Sequence, residues 1–282
     1  MILGKLRKNG IEDAALRSIA NTTFPRLTSH LNKRPSEVGS HNYGSKNMPS
    51  DTSLSPTHKL VVKTVSGVET KAIVREGKTD EFIVREVSSY NKLQINETDI
   101  VVDLGLQIGM FSVWVLNRGA KKVYSYEPNE DNFALAEKNL PLNGFAKSRY
   151  SLFKRAVIGN NDKTRDFYLN GQKNTGGHSL LPKRGREVVS VKCININAVI
   201  RKHKPTVLKM DIEGAEYECL KAIESFKGIR ELIFEFHHAD LKDIDSHAKY
   251  NEILKLLRKH FRHIDARKDT KGAWVNLVYC KK

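Results

Sequence analysis

The stretch from Ile100 to Glu127 contains the first residues whose types and spacing could do chemistry. A short apolar run ends at Asp103, and Gly105 and Gly109 bracket the turn that follows it. Glycine has no Cβ, so such a turn lets a ligand approach the main chain closely, although it would equally allow tight packing of a strand on a helix. A second apolar run ends in Glu127, about 20 residues after the turn, where a carboxylate can accept hydrogen bonds from both hydroxyls of a ribose.

The spacing of these glycines separates two kinds of nucleotide ligand. Dinucleotide sites normally use G-x-G-x-x-G, whereas this chain has Asp-x-Gly-x-x-x-Gly, which offers no close cradle for a diphosphate. A ligand with a ribose and no diphosphate fits better, and S-adenosylmethionine is such a ligand. Asp103 is then expected near its ammonium or sulfonium group, where a carboxylate offsets positive charge.

Further polar residues end two later apolar runs, TVLKMDI (206–212) and ELIFEF (231–236). Lys209 and Asp211 belong to the first, Glu213 directly follows it, and His237 follows the second. Neighbouring strands of an open parallel sheet end at the same ligand-binding edge, so we expect these side chains beside the cofactor as catalytic residues. His237 is a candidate general base because the ordinary histidine pKa lies near neutrality. The acidic residues that follow Asp211 also suit a helix N-terminus, and a histidine at a strand end is often only a surface residue.

Positive charge is concentrated inside the chain. The net charge is +16, and residues 147–204 alone carry 14 basic and 3 acidic residues. This segment includes an insertion over about 159–193, which is expected to overhang the site and to bind an acidic acceptor. The candidate acceptor-binding residues are His178, Lys183, Arg184 and Arg186. A solvated basic surface with no ligand is the alternative.

These residues need an alternating α/β framework to position them. The pattern predicts a hairpin (60–65 and 70–75), then strands alternating with helices, ending in two closely spaced strands that form an antiparallel hairpin edge. The predicted strands are 99–105, 122–127, 151–158, two within 163–193, 206–212, 231–236 and two after 260. The predicted helices follow Thr79-Asp80 and cover about 109–118, 130–142, 195–203, 214–226 and 247–257. The expected fold is a Rossmann-like three-layer sandwich with a mainly parallel, seven-stranded sheet.

Three stretches resemble the FkbM-type methyltransferases, a branch of the class I S-adenosylmethionine-dependent enzymes. They are REGKTDEFIVREV (75–87), VVDLGLQIGMFSVWVLNRGAKKVYSYEPN (101–129) and VLKMDIEGAEYECL (207–220) followed by ELIFEFH (231–237). The resemblance covers about residues 70–240 and implies S-adenosylmethionine as cofactor. It places Asp103, Gly105 and Gly109 at the methionine end and Glu127 at the ribose.

The resemblance further implies that Asn129 and Ala156 approach the adenine, and that Gln107 and Asp211 also line the cofactor site. Leu106-Gln107 replaces the family's usual Ala-Asn, a departure that could shift cofactor geometry. The leading hypothesis is O-methylation of a hydroxyl on a sugar, glycolipid or other small metabolite. An RNA ribose 2'-O-methyltransferase is one alternative, suggested by the positive charge, and a non-catalytic S-adenosylmethionine-binding module is another.

Composition sets the remaining expectations. No apolar run reaches the length of a membrane-spanning helix, and the first ten residues lack the apolar stretch of a signal peptide. The three cysteines are far apart in sequence, with no metal-ligand spacing, so we expect a reduced, cytoplasmic protein without a metal site. Residues 1–57 are basic, polar and rich in proline and are expected to be a poorly ordered extension, while residues 58–282 form the methyltransferase domain.

Overall fold

A computed structural model describes residues 58–171, 173–238, 244–266 and 275–282. The predicted N-terminal extension, residues 1–57, lies outside the described residues. No helix in the described ranges is long and apolar enough to cross a membrane.

The described chain begins with the predicted hairpin. Strands β1 (His58–Val65) and β2 (Val68–Arg75) pair antiparallel in direct register. Ser66 and Gly67 form the connecting turn, and both have positive φ angles, 50° and 83°. This is the turn geometry that matches the twist of a two-residue hairpin, and Gly67 adopts it without steric cost.

The central sheet has seven strands, as predicted. In chain order they are β3 (Ile100–Leu104), β4 (Lys122–Tyr126), β5 (Tyr150–Phe153), β9 (Val207–Met210), β10 (Glu231–His237), β11 (His263–Ala266) and β12 (Val275–Lys281). Their spatial order is β11-β12-β10-β9-β3-β4-β5. Only β12 runs antiparallel to its neighbours, so the expected antiparallel hairpin is formed by β11 and β12, with β12 inserted between β10 and β11.

Helices cover both faces of this sheet. They are α1 (Asp80–Glu86), α2 (Met110–Asn117), α3 (Glu130–Leu142), α4 (Ile196–His203), α5 (Glu216–Ala222) and α6 (Ile244–Leu257). Adjacent strand residues face opposite cores. Val101 packs with the hairpin, α2 and α3, while Val102 packs with α4, α5 and α6. The two cores confirm the three-layer α/β sandwich, since both faces of a mostly parallel sheet are buried.

One predicted strand is divided in the structure. The run 151–158 was expected to be continuous, but β5 ends at Phe153, and β6 (Ala156–Ile158) belongs to a different sheet. Lys154 and Arg155 lie exposed at the break. In this second sheet β6 and β7 (Thr164–Tyr168) flank β8 (Val188–Asn195), so the insertion forms a small three-stranded sheet of its own.

Candidate active site

A row of polar residues crosses the centre of the sheet at its carboxyl edge. Asp103 of β3 pairs in register with Lys209 of β9 on one side and with Ser125 of β4 on the other. Ser112 of α2 donates a hydrogen bond to Asp103 Oδ2 (2.7 Å), and Lys209 Nζ lies 3.3 Å from Asp103 Oδ1. Asp103 is fully buried, so its charge depends on these partners.

Lys209 connects the ends of two strands. Its ammonium group donates to the main-chain oxygens of Gly105 (2.7 Å) and Leu104 (3.3 Å) and lies 3.7 Å from the Asp211 carboxylate. Lys209 lines the cavity described below, whereas Asp103 lies beneath it and is not among its lining residues. Asp103 is therefore set back from the cavity behind Lys209, and its role at the methionine end of the cofactor stays a prediction. Asp103 holds Lys209, which fixes the turn at Gly105.

A cavity of about 320 Å³ opens above this row. Gly105 forms part of its floor with a φ of 83°, and a Cβ added there would lie 1.7 Å from the main-chain oxygen of Asp211. The Gly105 turn therefore depends on the missing side chain for close approach as well as for its backbone angle. Gln107 also lines the cavity, with a φ of 50°.

Glu127 forms the other side of the cradle. Its Oε2 accepts from the main-chain N–H of Gln107 and its Oε1 from that of Asn129, both at 2.9 Å. Burial raises the pKa of Glu127 to about 7, although these two hydrogen bonds act in the opposite direction. Each oxygen keeps a free lone pair, which suits two neighbouring ribose hydroxyls. The cradle therefore fits the nucleoside of S-adenosylmethionine.

Three other predicted cofactor positions divide into lining and supporting residues. Ala156 lines the cavity beside Arg155. Gly109 does not line it. Gly109 precedes α2 with a φ of 95°, and a Cβ there would lie 2.8 Å from Leu140, so its glycine serves helix packing. Asn129 is also absent from the lining, and its side chain caps α3 by accepting from the N–H of Asn132.

Carboxylates and a histidine gather at the opposite end of the cavity. Asp211 and Glu213 follow β9, while Glu235 and His237 end β10. His237 Nε2 lies 3.7 Å from Glu213 Oε2, 3.9 Å from Asp211 Oδ1 and 4.0 Å from Glu235 Oε2. The four residues thus face a shared space, which we call the acidic cluster. Their meeting at the edge of adjacent strands agrees with the sequence prediction.

The cluster shifts the acid–base properties of its members. Burial and the charge of Asp211 raise the pKa of Glu235 to about 8, and burial raises that of Glu213 to about 7. Burial would lower the pKa of His237, but the carboxylates of Glu216, Glu213 and Asp211 outweigh it and keep that pKa well above 6.5. Without another cation in the cluster, His237 is therefore protonated at neutral pH, which does not suit the expected general base.

The insertion covers the cavity through a short loop. Gly176, Gly177, His178 and Leu180 line the cavity from this side. Thr175 anchors the loop through three hydrogen bonds. Its Oγ1 donates to Asp80 (2.6 Å) and its main-chain N–H donates to Thr79 Oγ1 (3.0 Å). Its main-chain oxygen accepts from the side chain of Asn132 (2.9 Å). The overhang expected from the sequence is therefore present and is held by buried hydrogen bonds.

The basic residues of the insertion are placed differently from the prediction. Lys183, Arg184 and Arg186 are not among the cavity-lining residues, and Arg186 donates instead to the main-chain oxygen of Gly177 (2.6 Å). His178 does line the cavity, but burial lowers its pKa to about 4, so its ring is neutral. The end of the cavity expected to be basic is therefore dominated by carboxylates.

Several functional candidates were missed by sequence reasoning because their positions depend on tertiary packing. Tyr90, which is buried, donates to Glu235 Oε1 (3.1 Å) and lies 3.4 Å from Asp211 Oδ2. Glu86 of α1 also lines the cavity, and burial followed by the charge of Asp211 raises its pKa. Glu235 was visible from its place at a strand end. Glu86 lies within the stretch 75–87 that resembles the family, but neither it nor Tyr90 follows an apolar strand, which was the signal used for the other candidates.

A Rossmann-like sandwich with a cradle suited to a ribose at its sheet edge is the arrangement expected of an S-adenosylmethionine-dependent methyltransferase. The sequence profile described as "Methyltransferase FkbM domain" matches residues 103–263, more than half of the chain. The chain belongs to the FkbM methyltransferase family, and its methyl donor is S-adenosylmethionine.

Individual relatives are distant. Methyltransferase sdnD of Sordaria araneosa is 25% identical, covering 63% of this chain and 78% of that protein. A putative SAM-dependent methyltransferase from Streptococcus mutans is 11% identical with a TM-score of 0.45, covering 81% of this chain and 56% of that one. TYW2 of P. horikoshii, solved with MeSAdo, is 14% identical with a TM-score of 0.40, covering 80% of this chain and 70% of that one.

Proposed function

We propose that this methyltransferase transfers the methyl group to a hydroxyl of a small-molecule or glycan acceptor. The observation that carries the proposal is the single cavity that joins the Gly105–Glu127 cradle to the acidic cluster. Methyl transfer from a sulfonium needs mainly alignment of donor and acceptor, together with removal of the acceptor proton. A cavity with a nucleoside cradle at one end and proton-accepting groups at the other supplies both.

Bound S-adenosylmethionine supplies a methyl carbon whose bond to sulfur breaks with both electrons left on sulfur, while the acceptor oxygen forms the new bond to carbon. The oxygen must lose its proton. Glu213 is the proposed proton acceptor, because its pKa of about 7 leaves a substantial ionised fraction at neutral pH. Tyr90 orients Glu235 and Asp211 on the other side of the acceptor through its hydroxyl.

The lining also bears on the acceptor's chemical class. Phe82, Ile83, Val87, Leu180 and Val275 add apolar surface, and the cluster adds negative charge. A phosphorylated or otherwise acidic acceptor would meet repulsion there. We therefore infer a neutral or positively charged group beside the methylated hydroxyl, in place of the acidic acceptor expected from the basic segment.

The two alternatives have less support. A ribose methyltransferase with a catalytic lysine would need that lysine free, but Lys209 is bound to two main-chain oxygens and Asp103. The non-catalytic module rested on Leu106-Gln107. Leu106 is buried, and the main-chain N–H of Gln107 donates to Glu127, so the departure leaves the cradle intact.

The experiment is a methyl-transfer assay with the full chain, labelled S-adenosylmethionine and three matched sets of hydroxyl acceptors: neutral, amine-bearing and phosphorylated. Mass spectrometry would locate the methyl group. We expect O-methylated products from the first two sets and a loss of about 100-fold or more, the lower range of what one general base contributes, in Glu213→Gln. Methylation restricted to phosphorylated compounds or RNA would contradict the proposal. Glu224→Gln, which changes an exposed carboxylate, is the matched control.

A further inference from the structure

We propose that Asp211, Glu213 and His237 form a binding site for one divalent cation at the acceptor end of the cavity. Each offers one ligand atom, and these three atoms all lie within 4.8 Å of one another. Two of them come from the segment after β9 and the third from the end of β10, so the sheet edge itself sets their separation.

The distances suit a cation better than a hydrogen bond. His237 Nε2 is separated from the nearest oxygens of Glu213, Asp211 and Glu235 by 3.7, 3.9 and 4.0 Å. A proton on Nε2 would reach none of these oxygens at the roughly 2.7–3.2 Å typical of an N–H···O bond. Ligands about 2.1 Å from a Mg²⁺-like ion lie about 3.0 Å apart when adjacent and about 4.2 Å apart when opposite. The separations from His237 to Glu213 and to Asp211 fall within that interval, and the third separation, between Asp211 and Glu213, is within 4.8 Å.

The other nitrogen of the ring gives an independent indication of a ligand. Oε1 of Glu216 lies 3.0 Å from His237 Nδ1 and also accepts from the main-chain N–H groups of Ile212 (3.0 Å) and Gly214 (3.2 Å). A carboxylate oxygen has no hydrogen to donate, so Oε1 accepts from His237 as well, and Nδ1 carries a hydrogen. Nε2 is then the nitrogen that faces the cluster; it has no hydrogen-bond partner among the described residues, and a bound cation would take the place of the proton that Nε2 otherwise carries. A carboxylate that holds the far nitrogen in this way is the usual support for a metal-binding histidine.

Charge favours the same occupant. Glu86, Asp211, Glu213 and Glu235 all line this end of the cavity, and Glu216 lies directly behind His237. The nearby ammonium group of Lys209 is already engaged with Asp103 and two main-chain oxygens. The proton on His237 offsets only part of this negative charge, and a divalent cation in its place would offset more of it. The two carboxylates suit Mg²⁺ or Mn²⁺, and the imidazole nitrogen favours Mn²⁺, the softer of the two.

The role of the cation rests on the proposed O-methyl transfer, whereas its binding does not. A cation held by three protein ligands keeps open positions for an acceptor hydroxyl. The cation would lower the pKa of the bound acceptor hydroxyl and would hold that hydroxyl beside the methyl group. A base weaker than Glu213 would then suffice to remove the proton, and Glu213 would act as a ligand of the cation.

The test uses Mn²⁺ alone as probe and the full chain as it exists. Electron paramagnetic resonance would count free Mn²⁺ during a titration, and we expect one saturable site per chain. Asp211→Asn and His237→Gln should each weaken it by at least about tenfold, and Glu216→Gln by about 10- to 100-fold through loss of the ring's support. Glu224→Gln should bind Mn²⁺ as the unmodified chain does.

A second measurement does not depend on the folding of any variant. In the unmodified chain, bound Mn²⁺ should broaden the ring resonances of His237 more than those of His203, which stacks on Tyr124 and does not line the cavity. The inference is overturned if a chain that binds S-adenosylhomocysteine shows no saturable Mn²⁺ site, or if His237 is not broadened. Mn²⁺ binding without any S-adenosylhomocysteine binding would instead refute the proposed function and leave the cation site standing.

Discussion

Replacing Glu127 by glutamine should change how stability depends on pH. Glu127 is 5% exposed, and its pKa rises from the ordinary 4.5 to about 7 in the folded chain. Between these two values the folded state holds more protons than the unfolded state, so the free energy of unfolding falls as pH rises. The stabilisation is present below pH 4.5 and is lost by pH 7.

The magnitude follows from the shift. At about 1.36 kcal/mol per pKa unit, the whole shift corresponds to about 3 kcal/mol, of which about 2.5 kcal/mol falls between pH 5 and pH 8. Glutamine does not ionise in this range. Glu127→Gln also turns one amide N–H group toward a main-chain N–H, which costs about 1–3 kcal/mol, but this cost is nearly independent of pH. The difference between the two chains therefore isolates the ionisation.

Urea denaturation at pH 5 and at pH 8 would measure this difference for the unmodified chain and for Glu127→Gln. We expect the unmodified chain to lose about 2.5 kcal/mol more than the variant does over this interval. Equal losses in the two chains would refute the reasoning, because they would mean that Glu127 ionises in the folded state as it does in the unfolded one.

Three further outcomes are expected. Methylthioadenosine has the ribose but no titrating amino-acid end. If ionised Glu127 holds the ribose, calorimetry should show that this compound binds about tenfold more tightly at pH 8 than at pH 6. Glu127→Gln should show no such dependence of affinity on pH. Gly105→Ala should lower the free energy of unfolding by more than about 3 kcal/mol, because the added Cβ would overlap the main-chain oxygen of Asp211. Gly144→Ala, which has a similar φ and no atom within 4 Å of the added Cβ, should lower it by about 1 kcal/mol. Equal losses in the two variants would argue against the overlap. Lys209→Met should lower the free energy of unfolding, measured by chemical denaturation, by about 3–5 kcal/mol, because it leaves the buried Asp103 carboxylate without its cation. Adding Asp103→Asn should restore most of that free energy. If it does not, the unpaired Asp103 is not the cause of the loss.

The sheet was predictable because its strands carry their own pattern. Buried runs such as Ile100–Leu104 and Glu231–His237 are bounded by polar residues or glycine, and their order along the chain alternates with helices. The division of 151–158 was not predictable, because Lys154 and Arg155 interrupt an apolar pattern that is equally compatible with one strand. Only the pairing of β6 with β8, about 37 residues later, decides where the second half belongs.

The candidate site was predictable at strand ends and not elsewhere. Glu127, Asp211 and His237 follow apolar runs, so the parallel sheet brings them to one edge. The basic cluster around Arg184 was misleading, since charge density in a sequence gives no direction to a side chain. Tyr90 could not have been found, because its contacts with Asp211 and Glu235 join residues 121 and 145 positions away.

The anchoring of Thr175 to Asp80 has a consequence for the order of folding. The two residues are 95 positions apart, so the hydrogen bond closes a long loop whose entropy must be lost before the contact forms. The hairpin closes through a two-residue turn, and β3 pairs with β4 across only 22 positions (Val101 with Val123), whereas the central pairing of β3 with β9 also spans a long loop, 106 positions from Val101 to Val207. In a refolding experiment, circular dichroism should therefore begin to recover with the hairpin and the short-range strand pairs, and nucleoside binding should appear only after the two long-range closures, β3 with β9 and Thr175 with Asp80, have formed.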